Sequence, residues 1–205
     1  MINLDKTILN IKYNTEKFEN KKRSLIEMVY IFSLCSFLGW LVELIYVYIA
    51  VGKIVNRGVL YAPMCCIYGF GALILYMLFY NLKPNKINIP YVFIMAAIIL
   101  GAFELLCGLF FKYVFGIEMW NYDGFFLEIL NYTTVPIMIG WGILGTLYVF
   151  FIQPLLNKII SFIPQNIKKR LAIIIVCYLL VDFGFSVFNL YGNPEILYKM
   201  VNPEI

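Results

Sequence analysis

Three carboxylates, Glu43, Glu104 and Asp182, stand inside runs of sequence that are otherwise apolar. An acid at the centre of a bilayer costs about 2.5–3.5 kcal/mol on insertion scales, so such a group faces other protein or water. Three chemistries are open to these acids: binding a proton, holding a cationic group of a substrate, or working as a general acid and base pair on a lipid-linked substrate. The third has little around it. No nucleophile motif or activated serine accompanies the acids, and histidine is absent, which removes the usual general base and the commonest metal ligand. The reading is a non-enzyme with no catalytic residue, no metal and no cofactor. Cys35, Cys65, Cys66, Cys107 and Cys177 lie in apolar stretches without C-x-x-C spacing, as reduced packing residues do.

The elements that must position the acids are five apolar runs, approximately 25–51, 60–81, 90–115, 133–153 and 171–191. Each is near or above the roughly 20 residues that a helix needs to cross the hydrocarbon core. The chain of 205 residues is 62% hydrophobic and only 14% charged, where soluble domains carry about a quarter charged residues. Strand-like alternation is missing, so helices are the expected spanning elements. The predicted fold is all-α, a polytopic membrane bundle of about five transmembrane helices. It is preceded by a basic amphipathic arm over 1–24, occupies 25–192, and is followed by a short extracytoplasmic tail over 193–205.

Orientation follows from the cations. Twelve of the 16 Lys and Arg fall in the N-terminal arm, the 81–90 connection and the 153–170 connection; Lys53, Arg57, Lys112 and Lys199 fall on the other side. The positive-inside rule places the N-terminus in the cytoplasm and the C-terminus outside, in a multi-pass protein of the cell membrane. This asymmetry accounts for the net charge of +4 without nucleic acid as a partner. The first run is too long for a signal-peptide core and is expected to remain as an anchor.

Spacing assigns faces. Ser36, Gly39, Glu43 and Tyr46 share one side of the first helix; Ala97, Gly101, Glu104 and Gly108 share one side of the third; Tyr178, Asp182, Ser186 and Asn189 share one side of the fifth. Small residues of this kind let membrane helices approach closely. All three helices run outward in the predicted topology, and the acids fall near the midplane or in the outer half. We therefore expect an outward pocket for substrate or proton, built by Glu43, Glu104, Asp182 and Arg57, the nearest strong cation. The outer loop with Trp120, Asn121, Tyr122 and Asp123 would form its rim. The bland readings stay open: each acid as a clamp between helices, the loop aromatics as an interfacial belt, and Trp141 with Gly140, Gly142 and Gly145 as close packing.

Longer words of sequence carry a resemblance. Ser36-Phe37-Leu38-Gly39-Trp40-Leu41-Val42-Glu43-Leu44-Ile45-Tyr46, Asn56-Arg57-Gly58-Val59-Leu60-Tyr61-Ala62-Pro63 and Ile67-Tyr68-Gly69-Phe70-Gly71-Ala72 resemble the ABC-transporter type IV (CmpB-like) membrane family of Gram-positive bacteria. Trp120-Asn121-Tyr122 is similar to its W-D-Y, Trp141-Gly142 to its W-G, and Asp182 with Ser186 to its late D-x-x-x-S. The chain departs from the pattern at Asn121, Ala62 and Cys66. The resemblance implies a permease-like membrane protein. No G-x-x-x-x-G-K-[ST] phosphate loop is present, so ATP would be hydrolysed by a separate subunit. Such a subunit would dock at the 153–170 connection through a short helix carrying Ile159, Ile160, Phe162 and Ile163; the bland alternative is a connection that rests on the head groups. Five helices make a narrow solute path, which favours a homodimer or another membrane subunit. The alternative is a membrane scaffold or sensor of the cell envelope.

Overall fold

The computed structural model describes residues 24–53, 58–79 and 87–192. The arm over 1–23, Asn56 and Arg57 with their neighbours, the connection over 80–86 and the tail from 193 onward lie outside the described residues.

Helix α1 (Leu25–Val51) is mainly aliphatic and aromatic, interrupted by Glu27, Ser33, Ser36 and Glu43. It stops at Gly52, whose left-handed φ of 71° lets its N–H reach Tyr48 O. Helix α2 is Cys66–Phe79. Helix α3 (Ile89–Phe110) opens with the Asn88 side chain accepting from Tyr91 N and Pro90 in the first turn, then widens into a π turn over Phe111–Phe115. A small antiparallel hairpin pairs β1 (Glu128–Ile129) with β2 (Thr133–Thr134). Helix α4 (Val135–Leu147) is capped by Thr134, again with proline in its first turn. Through a π turn at Tyr148–Ile152 it runs on into α5 (Gln153–Phe162). Helix α6 is Gln165–Gly192.

Four stretches among the described residues are long and apolar enough to cross a membrane: Leu25–Ile49, Ile89–Phe115, Val135–Phe162 and Gln165–Asn189. The fifth, α2, has 14 residues, or about 21 Å of rise. The sequence places a helix from residue 60 onward; instead residues 58–65 form a bent, non-helical strap. The physical reason is that the strap's amides are satisfied by another helix, as described below. A second difference lies at 153–170, expected as a loop with room for one short helix. Only Ile163 and Pro164 separate α5 from α6, because the polarity of Gln153, Asn157 and Lys158 belongs to one face of an amphipathic helix whose Leu156 and Ile160 are buried.

Packing is pairwise: α1 lies chiefly against α2, and α3 against α4, with α6 on the outside of α1. Ile31, Leu75, Tyr76, Val92, Ala96 and Leu100 form the shared core. Close approach needs glycine at two positions above all. A Cβ on Gly39 would sit 2.2 Å from the Tyr68 ring, and one on Gly69 would sit 2.1 Å from Ser36 Oγ. Tyr30 Oη donates to Lys168 O at 3.0 Å, tying the start of α1 to the start of α6. The expected faces hold for Ser36, Gly39, Gly101, Glu104, Gly108, Asp182 and Ser186, all buried, and fail at Tyr46 and Tyr178, which are exposed. Tyr46 lies beyond the reach of α2. Tyr178 lies on a helix most of whose circumference faces outward.

Candidate functional site

Each acid receives its hydrogen bonds from a segment on the outer side of the predicted topology. Glu104 is 5% exposed. Thr133 Oγ1 donates to its Oε2 at 2.7 Å, and Tyr122 Oη donates to Oε1 at 3.3 Å. Gly108 makes this possible, since a Cβ there would meet the Tyr132 ring at 2.6 Å. The absence of a side chain lets the hairpin descend onto α3 and bring Thr133 over the carboxyl. Leu127, Leu130 and Asn131 hold left-handed φ values of 52°, 50° and 65°, a conformation L-residues adopt at a cost; the hairpin is held by its surroundings. Trp120 is part of that hold, its Nε1 donating to Tyr132 O at 2.8 Å.

Asn121 is a turn former. Its Oδ1 accepts from Asp123 N at 2.8 Å, and its Nδ2 donates to Glu118 Oε2 at 3.0 Å. An aspartate could make the turn but would have no donor for Glu118. Glu118 also accepts from Tyr132 Oη at 3.0 Å and pairs with Lys112 Nζ at 3.1 Å. The Lys112 ammonium first, then these two neighbours, holds the Glu118 carboxyl below the usual range. Asp123 is exposed at the tip.

Glu43, half-buried, accepts from Tyr68 Oη at 2.8 Å. The Tyr68 ring fills the space left by Gly39 and lies 5.1 Å, centroid to centroid, from Trp141. Glu43 and Glu104 both lie near enough to Tyr68 to act on it electrostatically, and near enough to each other. The structure therefore brings Glu43, Tyr68, Glu104, Tyr122 and Trp141 into one neighbourhood. Trp141 is buried, and its side chain reaches the Glu104 carboxyl. Gly142 and Gly145 serve close packing, facing Phe93 and Ala96, whereas Gly140 faces open space.

Asp182 does different work. Its Oδ1 accepts from Tyr61 N at 3.0 Å and its Oδ2 from Ala62 N at 2.8 Å, so one buried carboxylate holds two consecutive amides of the strap. Asn189 Nδ2 adds a bond to Tyr61 Oη at 2.7 Å, and Cys65 N reaches Ser36 O at 2.9 Å. Gly58 fits the strap's turn, where a Cβ would lie 2.7 Å from Met64 O; Pro63 is exposed beside Ala62. Trp40 stacks on Phe37 at 6.0 Å, near the lipid side. Arg57 and Asn56 lie outside the described residues. All five cysteines are free, and among the described residues no three His, Cys, Asp or Glu are grouped for a metal ion.

The strap, the short α2 and the acid under the hairpin fall within one stretch that matches a single family model, described as Putative ABC-transporter type IV, over residues 30–187. The chain belongs to this family. The type IV match takes in α1 to α6 almost whole and stops one residue after Ser186. No curated protein and no solved structure matches the chain. Membership together with four long apolar helices makes this a multi-pass membrane protein of a transporter family. Thr133 was not marked by the sequence, because a lone threonine before a helix carries no signal beyond capping. Its function depends on the glycine 25 residues earlier.

Proposed function

We propose that the chain is the membrane-spanning subunit of a transport complex of the cell membrane, energised by a separate ATP-binding subunit. The neighbourhood of Glu43, Tyr68 and Glu104 is its outward site for a cationic substrate group or a coupling proton. The observation that carries this is Glu104: a carboxyl buried in a spanning helix, bonded to two hydroxyls of the outer hairpin. A clamp between helices would be served as well by an amide. A carboxyl in that place can also change charge or meet a cation. The site is read as one of binding, not catalysis. Asp182 belongs to the frame of the site through the strap, and Trp120 and Asn121 belong to its rim through the loop.

The exposed face of α5, with Ile159 and Phe162, is the proposed cytoplasmic seat of the ATP-binding subunit, and a second membrane subunit would complete the path. Glu104→Gln tests the site. The amide keeps an acceptor for Thr133, so the thermal unfolding temperature should stay within a few degrees of wild type while substrate-stimulated ATP turnover of the reconstituted complex falls at least tenfold. Unfolding lowered in step with turnover would make Glu104 a structural clamp.

A further inference from the structure

The loop between α3 and α4 turns its apolar side chains away from the protein. Phe125, Phe126, Leu127, Ile129 and Leu130 are all exposed, Phe126 at 76% and Leu130 at 66%. A run of large apolar side chains of this kind marks a surface that something other than water covers. Two bonds place the run beside the long helices. Leu127 O accepts from Val135 N at 3.1 Å, and Val135 is the first residue of the Val135–Phe162 stretch, long and apolar enough to cross a membrane. Thr133 of the hairpin reaches Glu104, which lies eleven residues before the end of the Ile89–Phe115 stretch, or about 16 Å of helix. The loop therefore folds back along the last turns of α3. Its backbone is bonded to itself: Tyr122 N donates to Asn131 O, Phe125 N to Tyr122 O and Tyr132 N to Ile129 O, while Glu128 and Ile129 pair with Thr134 and Thr133. Irregular backbone is tolerated at membrane depth only where protein satisfies its amides in this way.

The geometry points to the bilayer itself as what covers this patch: the loop is an interfacial anchor whose Phe125, Phe126, Leu127 and Leu130 side chains lie among the acyl chains of the leaflet at that end of α3. Lipid is favoured over a protein partner because α3 exposes Leu106 and Phe110 over the same last turns, a surface that lipid covers in any spanning arrangement of this helix. Asp123 and Glu128, both exposed, limit the depth. Their carboxylates stay with the head groups, so the rings reach just below them, as interfacial anchors do. The anchor is also linked to the buried acid. The Phe125 ring meets the Tyr122 ring edge-on at 5.7 Å, centroid to centroid, and Tyr122 Oη bonds Glu104. Such an anchor would serve a scaffold as well as a transport subunit.

Photocrosslinking reads out the occupant directly. Phe126 and, independently, Leu130 are replaced by p-benzoylphenylalanine in the whole chain, which is irradiated in its native membrane and analysed by mass spectrometry. Phe185, exposed within the Gln165–Asn189 stretch, is the lipid-facing control. Both loop positions should give phospholipid adducts in a yield within about threefold of the control. Because both side chains are exposed, neither replacement should shift thermal unfolding. No lipid adduct at either loop position, with the control positive, would put the loop in water and overturn the proposal. Adducts to another protein or to a second copy of the chain in place of lipid would overturn it in favour of a protein interface. None of these outcomes involves an ATP-binding subunit, so the anchor stands or falls apart from the transport reading.

Discussion

Gly69→Val is expected to abolish the folded protein in detergent. A Cβ at this position would lie 2.1 Å from Ser36 Oγ, 2.7 Å from the Phe32 ring and 2.8 Å from Phe32 O. A hydroxyl or a ring can swing aside; the carbonyl belongs to the backbone of α1 and moves only if the helix does. Separating α1 from α2 would open the core around Ile31, Ala72 and Leu75, and would also displace Tyr68 from Glu43. Overpacking ordinarily costs 1–3 kcal/mol, and without room for relaxation the loss here should exceed about 3 kcal/mol. Gly140→Ala, where nothing lies within 4 Å, is the matched control and should behave as wild type. The two are compared by monodisperse yield and thermal unfolding in one detergent. A Gly69→Val protein that unfolds at the wild-type temperature would mean that α1 and α2 do not meet through this face.

Asp182→Ala should release the strap. The substitution strips acceptors from two amides, Tyr61 N and Ala62 N. A donor stranded without its acceptor costs about 1–3 kcal/mol, so the loss of both acceptors should come to about 3 kcal/mol, somewhat relieved where water reaches Tyr61. Its more specific signature is local. Protease added to the outer face of sealed cells should cut between α1 and α2 in the variant well before it cuts wild type, because the strap then lacks its anchor on α6. Asp182→Asn keeps one acceptor but turns an NH₂ toward the other amide, and should fall between the two. Equal cutting rates in all three proteins would remove Asp182 from its role as anchor.

The sequence showed where helices lie and which of their faces turn inward, because in lipid both follow from composition and period. Gly101, Glu104 and Gly108 were expected on one buried face, and are. It could not show where a helix stops within an apolar stretch. Residues 60–65 are as apolar as the helix that follows, and their departure from it is decided by Asp182, some 120 positions away. Gly58 and Pro63 were the local hints. The connection over 153–170 differed in the opposite direction: polar residues suggested a loop with a short helix, where helix runs through nearly the whole of it. Within the site, the acids were legible from their cost in lipid, while their donors were not. Thr133 and Tyr122 reach Glu104 only through the folding of an irregular loop, whose left-handed leucines no residue pattern announces.

Whether this chain works as a transport subunit is tested most directly by what it binds. The tagged protein, extracted from its native membrane in mild detergent and purified once, should carry an ATP-binding subunit in stoichiometric amount. Its retention should fall when Ile159 and Phe162 on the exposed face of α5 are both changed to Glu. Purification of the chain alone, or with proteins of envelope assembly and no ATP-binding subunit, would contradict the transport reading and leave a membrane scaffold in its place.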